Sequence, residues 1–217
     1  MRLSMQIETR DVTVDGPHTV LLRPTTLTAS SREVTLVEGP PGTGHTALSL
    51  VLGGRLRPDG GTVLLDGAAD GQGLRQRVAL VDVPDVSEPD DVVKLSTIVG
   101  EELAMARRTA SPAAVRAWLE HHDALDWHGT RVEDVPGPVR VHLLSELAAL
   151  RRGVEALVIC APDRYGTLGD EAYEVAERIA RRDLVVVLQL MTASARTLGL
   201  PATQLGNAAD GASEEIA

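Results

Sequence analysis

The sequence predicts a mixed α/β fold, a core of strands and helices carrying a helical lobe, and three observations lead there. A β-branched strand at 33–37 runs straight into a glycine-rich loop, GPPGTGHT at 39–46, and then into a helix at 47–53. Two short apolar runs, VEALVICAP at 154–162 and LVVVL at 184–188, flank a helix at 170–182, as parallel strands joined by a crossover do. Antiparallel-looking strand sequence precedes both, over residues 5–37.

In chain order, Met5, Ile7, Val12 and Val14 mark a first strand, a turn follows at Asp15-Gly16-Pro17, and Val20, Leu21 and Leu22 begin another that Pro24 interrupts. After the glycine loop, Leu48, Val51 and Leu52 keep helical spacing. RPDGGTVLLDG at 57–67 reads as turn, strand and turn, and RVALVDV at 77–83 as a short buried strand. A polar connector with two prolines at 84–91 leads to helices at 95–108 and 112–121, the second capped by Ser111 with Pro112 in its first turn. Two prolines and a glycine make 132–141 a loop, before a short helix at 143–152. The helix at 170–182 lines Ala172, Val175, Ala176 and Ile179 on one face and pairs Glu174 with Arg178 and Glu177 with Arg181. Residues 207–217 have the composition of a flexible tail.

Composition narrows the partners. The formal charge of −10 disfavours nucleic acid, and arginine pairs such as Arg107-Arg108 read as solvated helix surface. The apolar runs fall far short of the roughly 20 residues that span a membrane. The first dozen residues alternate like a strand, without the apolar core of a signal peptide. The single cysteine, Cys160, suits a reducing cytoplasm and reads as a small buried hydrophobe. His121, His122 and His128 lack the cysteines or paired acids of a zinc site, so no metal site is expected. Trp118 belongs to an apolar helix face, while Trp127 is a candidate surface contact.

The glycine loop carries the chemistry. The phosphate-binding pattern GxxxxGK[ST] keeps Gly39, Gly44 and Thr46 but puts His45 where lysine belongs. Gly39, Pro40, Pro41, Gly42, Thr43, Gly44, His45 and Thr46 are therefore the candidate phosphate-binding residues, through backbone N–H groups and a helix start rather than a lysine charge.

From Leu36 to Gly67 the sequence resembles the phosphate loop, helix and following strand of the ATP-binding subunits of ABC transporters. The glycine motif alone would also suit AAA-type ATPases; RPDGGTVLLDG and the helical lobe favour the transporter family. The resemblance implies a P-loop nucleoside triphosphate hydrolase fold of ABC type. It implies one nucleotide-binding domain over residues 1–206, with the lobe at about 89–142. Order and spacing agree to about residue 199, but the family's later motifs differ. Val83 stands for its metal-contacting glutamine, and GPVRV at 137–141 or LLSEL at 143–147 for its glycine-rich signature. Cys160 stands for the magnesium-coupled aspartate, Ala161 for the glutamate that polarises water, and Gln189 for the switch histidine. Asp82, Asp163 and Asp170 are the acids that could replace them, and Arg140 a substitute donor to phosphate.

The resemblance thus implies a nucleotide-binding-like subunit of a membrane transporter with weak or no ATP hydrolysis. ATP is its implied ligand, and Mg²⁺ finds few oxygen ligands. The implied partner is an ABC-type permease or an intact ABC ATPase subunit, with the chain cytoplasmic, peripheral to the inner face of the plasma membrane and not itself membrane-spanning. Two alternatives remain: an active ATPase with rebuilt ligands, and a soluble non-catalytic interaction protein on the same scaffold.

Overall fold

The computed structural model describes residues 4–208. Two sheets enclose the first helix. Strands β1 (Gln6–Asp15), β2 (Val20–Ser30) and β4 (Gly60–Leu65) form an antiparallel sheet in the order β2-β1-β4. Strands β3 (Val34–Gly39), β5 (Val78–Val81), β6 (Ala156–Cys160), β7 (Val185–Met191) and β8 (Thr203–Gln204) form a parallel one in the order β5-β6-β7-β3-β8. All residues of β5 and β6 are buried. That is why these strands read as unbroken apolar runs rather than as alternating patterns.

Helix α1 (His45–Leu52) lies between the sheets, with Leu48, Val51 and Leu52 packed among Ile7, Val12 and Leu22 on one side and Val158 and Val187 on the other. The opposite face of the parallel sheet is covered by α5 (Gly137–Leu150) and α6 (Gly169–Ala180), through Ala172, Val175, Ala176 and Ile179. A third cluster joins α3 (Leu95–Met105) and α4 (Pro112–His121) to Leu143 and Leu147 of α5, forming the helical lobe. Among the described residues no helix is long and apolar enough to cross a membrane.

Three expectations need correction. The first strands are long and continuous, and Pro24 lies inside β2. It is tolerated because β2 is an edge strand and Pro24 falls where the pairing with β1 shifts register, so its missing N–H breaks no ladder bond. The loop expected at 132–141 holds a 3-10 turn (Val132–Asp134) and then the start of α5. Proline and glycine misled there, because Pro138 sits in the first turn of α5, where a missing N–H costs nothing. The sequence also lacked strong periodicity for α2 (Gly71–Arg77), which begins where the Asp70 carboxylate accepts the Gly73 N–H at 2.8 Å. The tail expected from 207 is tied down at its first residue: Asn207 exchanges two side-chain hydrogen bonds with the Thr26 backbone. Its remainder from 209 lies outside the described residues.

Leu188 is fully buried at the centre of β7. Leu188→Ala should cost about 2–5 kcal/mol in urea unfolding. Ser111→Ala, which removes only the cap accepting the Ala114 N–H, should cost about 1 kcal/mol.

Candidate functional site

Gly39 ends β3 directly beside Met191 of β7, and the chain turns there into the loop. The Pro40 carbonyl closes the turn by accepting the Thr43 hydroxyl at 2.7 Å. Gly44, at φ +119, has no room for a side chain: a Cβ would come within 2.7 Å of the Leu21 carbonyl oxygen. Strand β2 therefore presses on the loop, and only glycine permits both the backbone angle and the contact. Helix α1 starts at His45, so the first N–H groups of the helix, without intrahelical partners, line the mouth of the loop.

Beneath the loop the side chains turn inward. His45 is 6% exposed, and its Nε2 lies 3.2 Å from the Leu190 carbonyl oxygen. A carbonyl only accepts, so the ring carries its proton on Nε2. Burial pushes the His45 pKa down; the Leu190 carbonyl and Asp163 oppose this and Arg164 adds to it, so the ring is neutral near pH 7. One turn later the Ser49 hydroxyl donates to the His45 carbonyl at 2.9 Å and accepts from Gln189 Nε2 at 2.7 Å. Gln189 is fully buried in this arrangement. Its register partner Cys160 is also fully buried, and burial pushes the thiol pKa up, keeping it protonated.

A hollow of about 240 Å³ opens above these groups, walled by the loop, Leu21, Thr46, Cys160, Ala161, Arg164 and Met191. Arg164 is the residue that sequence reasoning missed, since nothing in APDRYG marks its direction. It follows Ala161 and Pro162 through a 3-10 turn (Pro162–Tyr165), which Ala161 enters at φ +43. Asp163 in the same turn accepts the Met191 N–H on Oδ2 at 2.9 Å, while its Oδ1 is buried without a hydrogen-bond partner.

The other residues singled out from sequence go elsewhere. Asp82, at the end of β5, is 2% exposed and forms a bidentate pair with Arg140 at 2.9 and 2.8 Å. Arg140 is 3% exposed and stacks 3.8 Å from the centre of the Tyr165 ring. An Arg140 held this way cannot serve as a donor to phosphate, and Asp82 cannot serve as a free acid. Val83 is fully buried, its carbonyl accepting the N–H groups of Val86, Ser87 and Glu88. Asp170 sits exposed in the first turn of α6. Gly137 packs so tightly that a Cβ would lie 2.4 Å from the Tyr165 carbonyl oxygen. Trp127 is half-buried and packs against the lobe cluster rather than standing free. His122 packs on Trp118 and meets His142 at 3.4 Å between ring nitrogens. Among the described residues no group of three His, Cys, Asp or Glu side chains could hold a metal ion.

An α/β core with a glycine loop between β3 and α1, an antiparallel sheet and a helical lobe defines a P-loop nucleoside triphosphate hydrolase fold of ABC type. The chain matches a nucleotide-free ATP-binding cassette from an ABC transporter with a TM-score of 0.63 at 15% identity, over 93% of this chain and 88% of that one. It matches a putative ABC transporter ATP-binding protein from Pyrococcus furiosus with a TM-score of 0.61 at 16% identity, over 86% and 91% respectively. In sequence it is 30% identical over 148 residues to a taurine import ATP-binding protein of Pseudomonas entomophila, and 28% identical over 148 residues to that of Pseudomonas syringae pv. tomato. Each match covers 67% of this chain and 56% of the relative, so the chain spans about half the length of the curated relatives it matches. No family model matches. The solved structures show an ABC-type nucleotide-binding-domain fold, and about two thirds of the chain is similar in sequence to the taurine import ATP-binding proteins.

The buried pair gives a prediction. Arg140→Met or Asp82→Asn alone strands its partner and should cost about 3–5 kcal/mol, whereas the double variant should recover a large part of the loss. Equal, additive losses in urea melts would show that the two groups are not coupled.

Acid should weaken the fold in steps. Burial lowers the pKa of His45, His122 and His142. Unfolded histidines, near 6.5, take up protons first, so the stability is fully present above about pH 7 and falls as pH drops through 6.5. Burial raises the Glu146 pKa, but Arg182 more than offsets it, and the carboxyl titrates below its ordinary value. That stability is lost at still lower pH. Urea midpoints should be level from pH 8 to 7 and decline from 7 to 5; a flat profile to pH 5 contradicts the burial argument.

Proposed function

We propose that the chain is a nucleotide-binding-domain subunit of a membrane transport assembly that binds nucleotide weakly and does not hydrolyse it. The observation that carries the reading is the carboxyl end of β6. Cys160 and Ala161 stand there across the hollow from the loop, a protonated thiol and a methyl group. Magnesium takes oxygen ligands, and these two side chains supply none, so the carboxyl end of β6 does not fit that ion. A phosphate group does fit the mouth of the loop, where the start of α1 and Thr46 border the hollow; Arg164 also lines it, with Nη2 held by the Asp82 carbonyl at 2.6 Å and by the Glu88 carboxylate at 3.6 Å. The lysine's charge is not replaced by His45, which is neutral and turned toward Leu190.

The relatives' names supply ATP binding in transport as the setting. An ABC-type permease or an intact ATPase subunit is the partner this reading requires. At the first turn of α5, where a glycine-rich signature would grip an opposed phosphate, Gly137 is packed against the 162–165 turn and Arg140 is spent on Asp82. A pair of identical copies would lack that grip on both sides.

One observation favours an active ATPase with rebuilt ligands: Asp163, next in the chain to the hollow-lining Arg164, keeps Oδ1 buried without a hydrogen-bond partner. Phosphate release with ATP and magnesium separates the two. Release should equal the enzyme-free blank, and turnover that disappears in Asp163→Asn would establish the rebuilt site instead. In calorimetric titration His45→Lys should tighten ATP binding by about 1–3 kcal/mol, the scale of a charge-assisted hydrogen bond, without starting hydrolysis. An unchanged affinity would mean that the loop is closed to phosphate.

A further inference from the structure

At the far end of α1, about 12 Å from the loop by helical rise, lies a second hollow of about 510 Å³. It is bounded by the chain leaving α1, the start of β4 and helix α2. Three arginines line it: Arg55, Arg57 and Arg75. Arg55 Nη1 donates to the Gly53 and Val78 carbonyls at 3.0 and 3.3 Å, and Arg75 Nη1 donates to the Gly54 carbonyl at 2.9 Å. These bonds fix two guanidinium groups and leave most of their donors unused.

No carboxylate among the described residues lies within ion-pair distance of any of the three. The acids nearest in sequence are engaged elsewhere. Asp59 accepts the Asp15 N–H, Asp66 pairs with Arg77, and Asp70 caps α2. Burial lowers the Arg55 pKa most, and the charges of Arg151 and Arg75 lower it further. In a chain of net charge −10, such a cluster is a local exception. Between the arginines the wall is apolar, made by Val51, Leu56, Val63 and Leu74. The volume suits a small organic ligand, and fixed cations around an apolar wall select its chemistry.

We propose that this hollow binds a small amphipathic anion, an oxyanion head on a short apolar body. The arginines take the carboxylate or phosphate head, and the body lies against Leu56, Val63 and Leu74. The site is separate from the glycine loop and independent of whether nucleotide binds there.

Calorimetric titration of the full chain with octanoate and with octyl phosphate tests it, the tighter of the two identifying the head. Both should bind with a Kd of millimolar or below, and neutral octanol at least tenfold more weakly. Arg57→Gln with Arg75→Gln should weaken octanoate at least tenfold. Arg57→Gln alone, which removes a side chain with no hydrogen bond among the described residues, should weaken it several-fold at an unchanged melting temperature. Leu56→Ser should weaken octanoate and leave inorganic phosphate unaffected. Octanol binding as tightly as octanoate, inorganic phosphate binding as tightly as octyl phosphate, or arginine variants that bind like the parent would each overturn the proposal.

Discussion

The ion pair between Asp82 and Arg140 governs how the helical lobe meets the core. It joins the end of β5 to the first turn of α5, and both side chains are almost wholly removed from water. Burying two charges costs several kcal/mol each unless geometry and further hydrogen bonds compensate. Compensation is present here. The pairing is bidentate through Nε and Nη2, Arg140 stacks on Tyr165, Glu88 lies 4.0 Å from the same Nη2, and Asp91 lies 3.6 Å from Nη1. The Asp82 carbonyl also accepts from Arg164 at 2.6 Å. One charge pair thereby positions the connector after β5, the start of α5 and the turn that carries Arg164 into the hollow by the loop.

A second polar network, wholly inside the core, holds α1 to β7. His45 donates to Leu190, and Ser49 links the His45 carbonyl to Gln189. In a low-dielectric interior such bonds keep their partners in place, because an unmade one is costly. The chemical consequence is that His45 and Gln189 stabilise the packing of the helix instead of presenting charge to a ligand. What remains at the site is backbone N–H, Thr46 and an Arg164 whose Nη2 is already held by the Asp82 carbonyl.

Helix α1 thus has two unlike ends. Its amino end offers unpaired N–H groups and the positive pole of the helix dipole, within a turn that glycine makes possible. Around its carboxyl end, Arg55 and Arg75 donate to the carbonyls of Gly53 and Gly54, satisfying acceptors that a helix terminus leaves open. Both ends are therefore electropositive, although the protein as a whole is acidic.

The architecture was legible in the sequence wherever one local signal sufficed. The apolar runs of β6 and β7, the glycine loop opening α1 and the Ser111 cap of α4 each follow from residues close together in the chain. Pro24 and Pro138 misled because a proline is judged by whether its N–H would have had a partner, and that depends on a neighbouring strand or a helix start. The candidate site was legible as a list of positions, with His45, Cys160 and Ala161 falling around one hollow. By itself the sequence determined which chemical groups are available there, because a thiol and a methyl are what they are in any fold. Only the tertiary structure decided which way the charged groups face. Asp82 and Arg140 are 58 residues apart, and His45 and Leu190 are 145 apart. No local pattern encodes such pairings; they form because a buried polar group must find a partner wherever the folded chain supplies one.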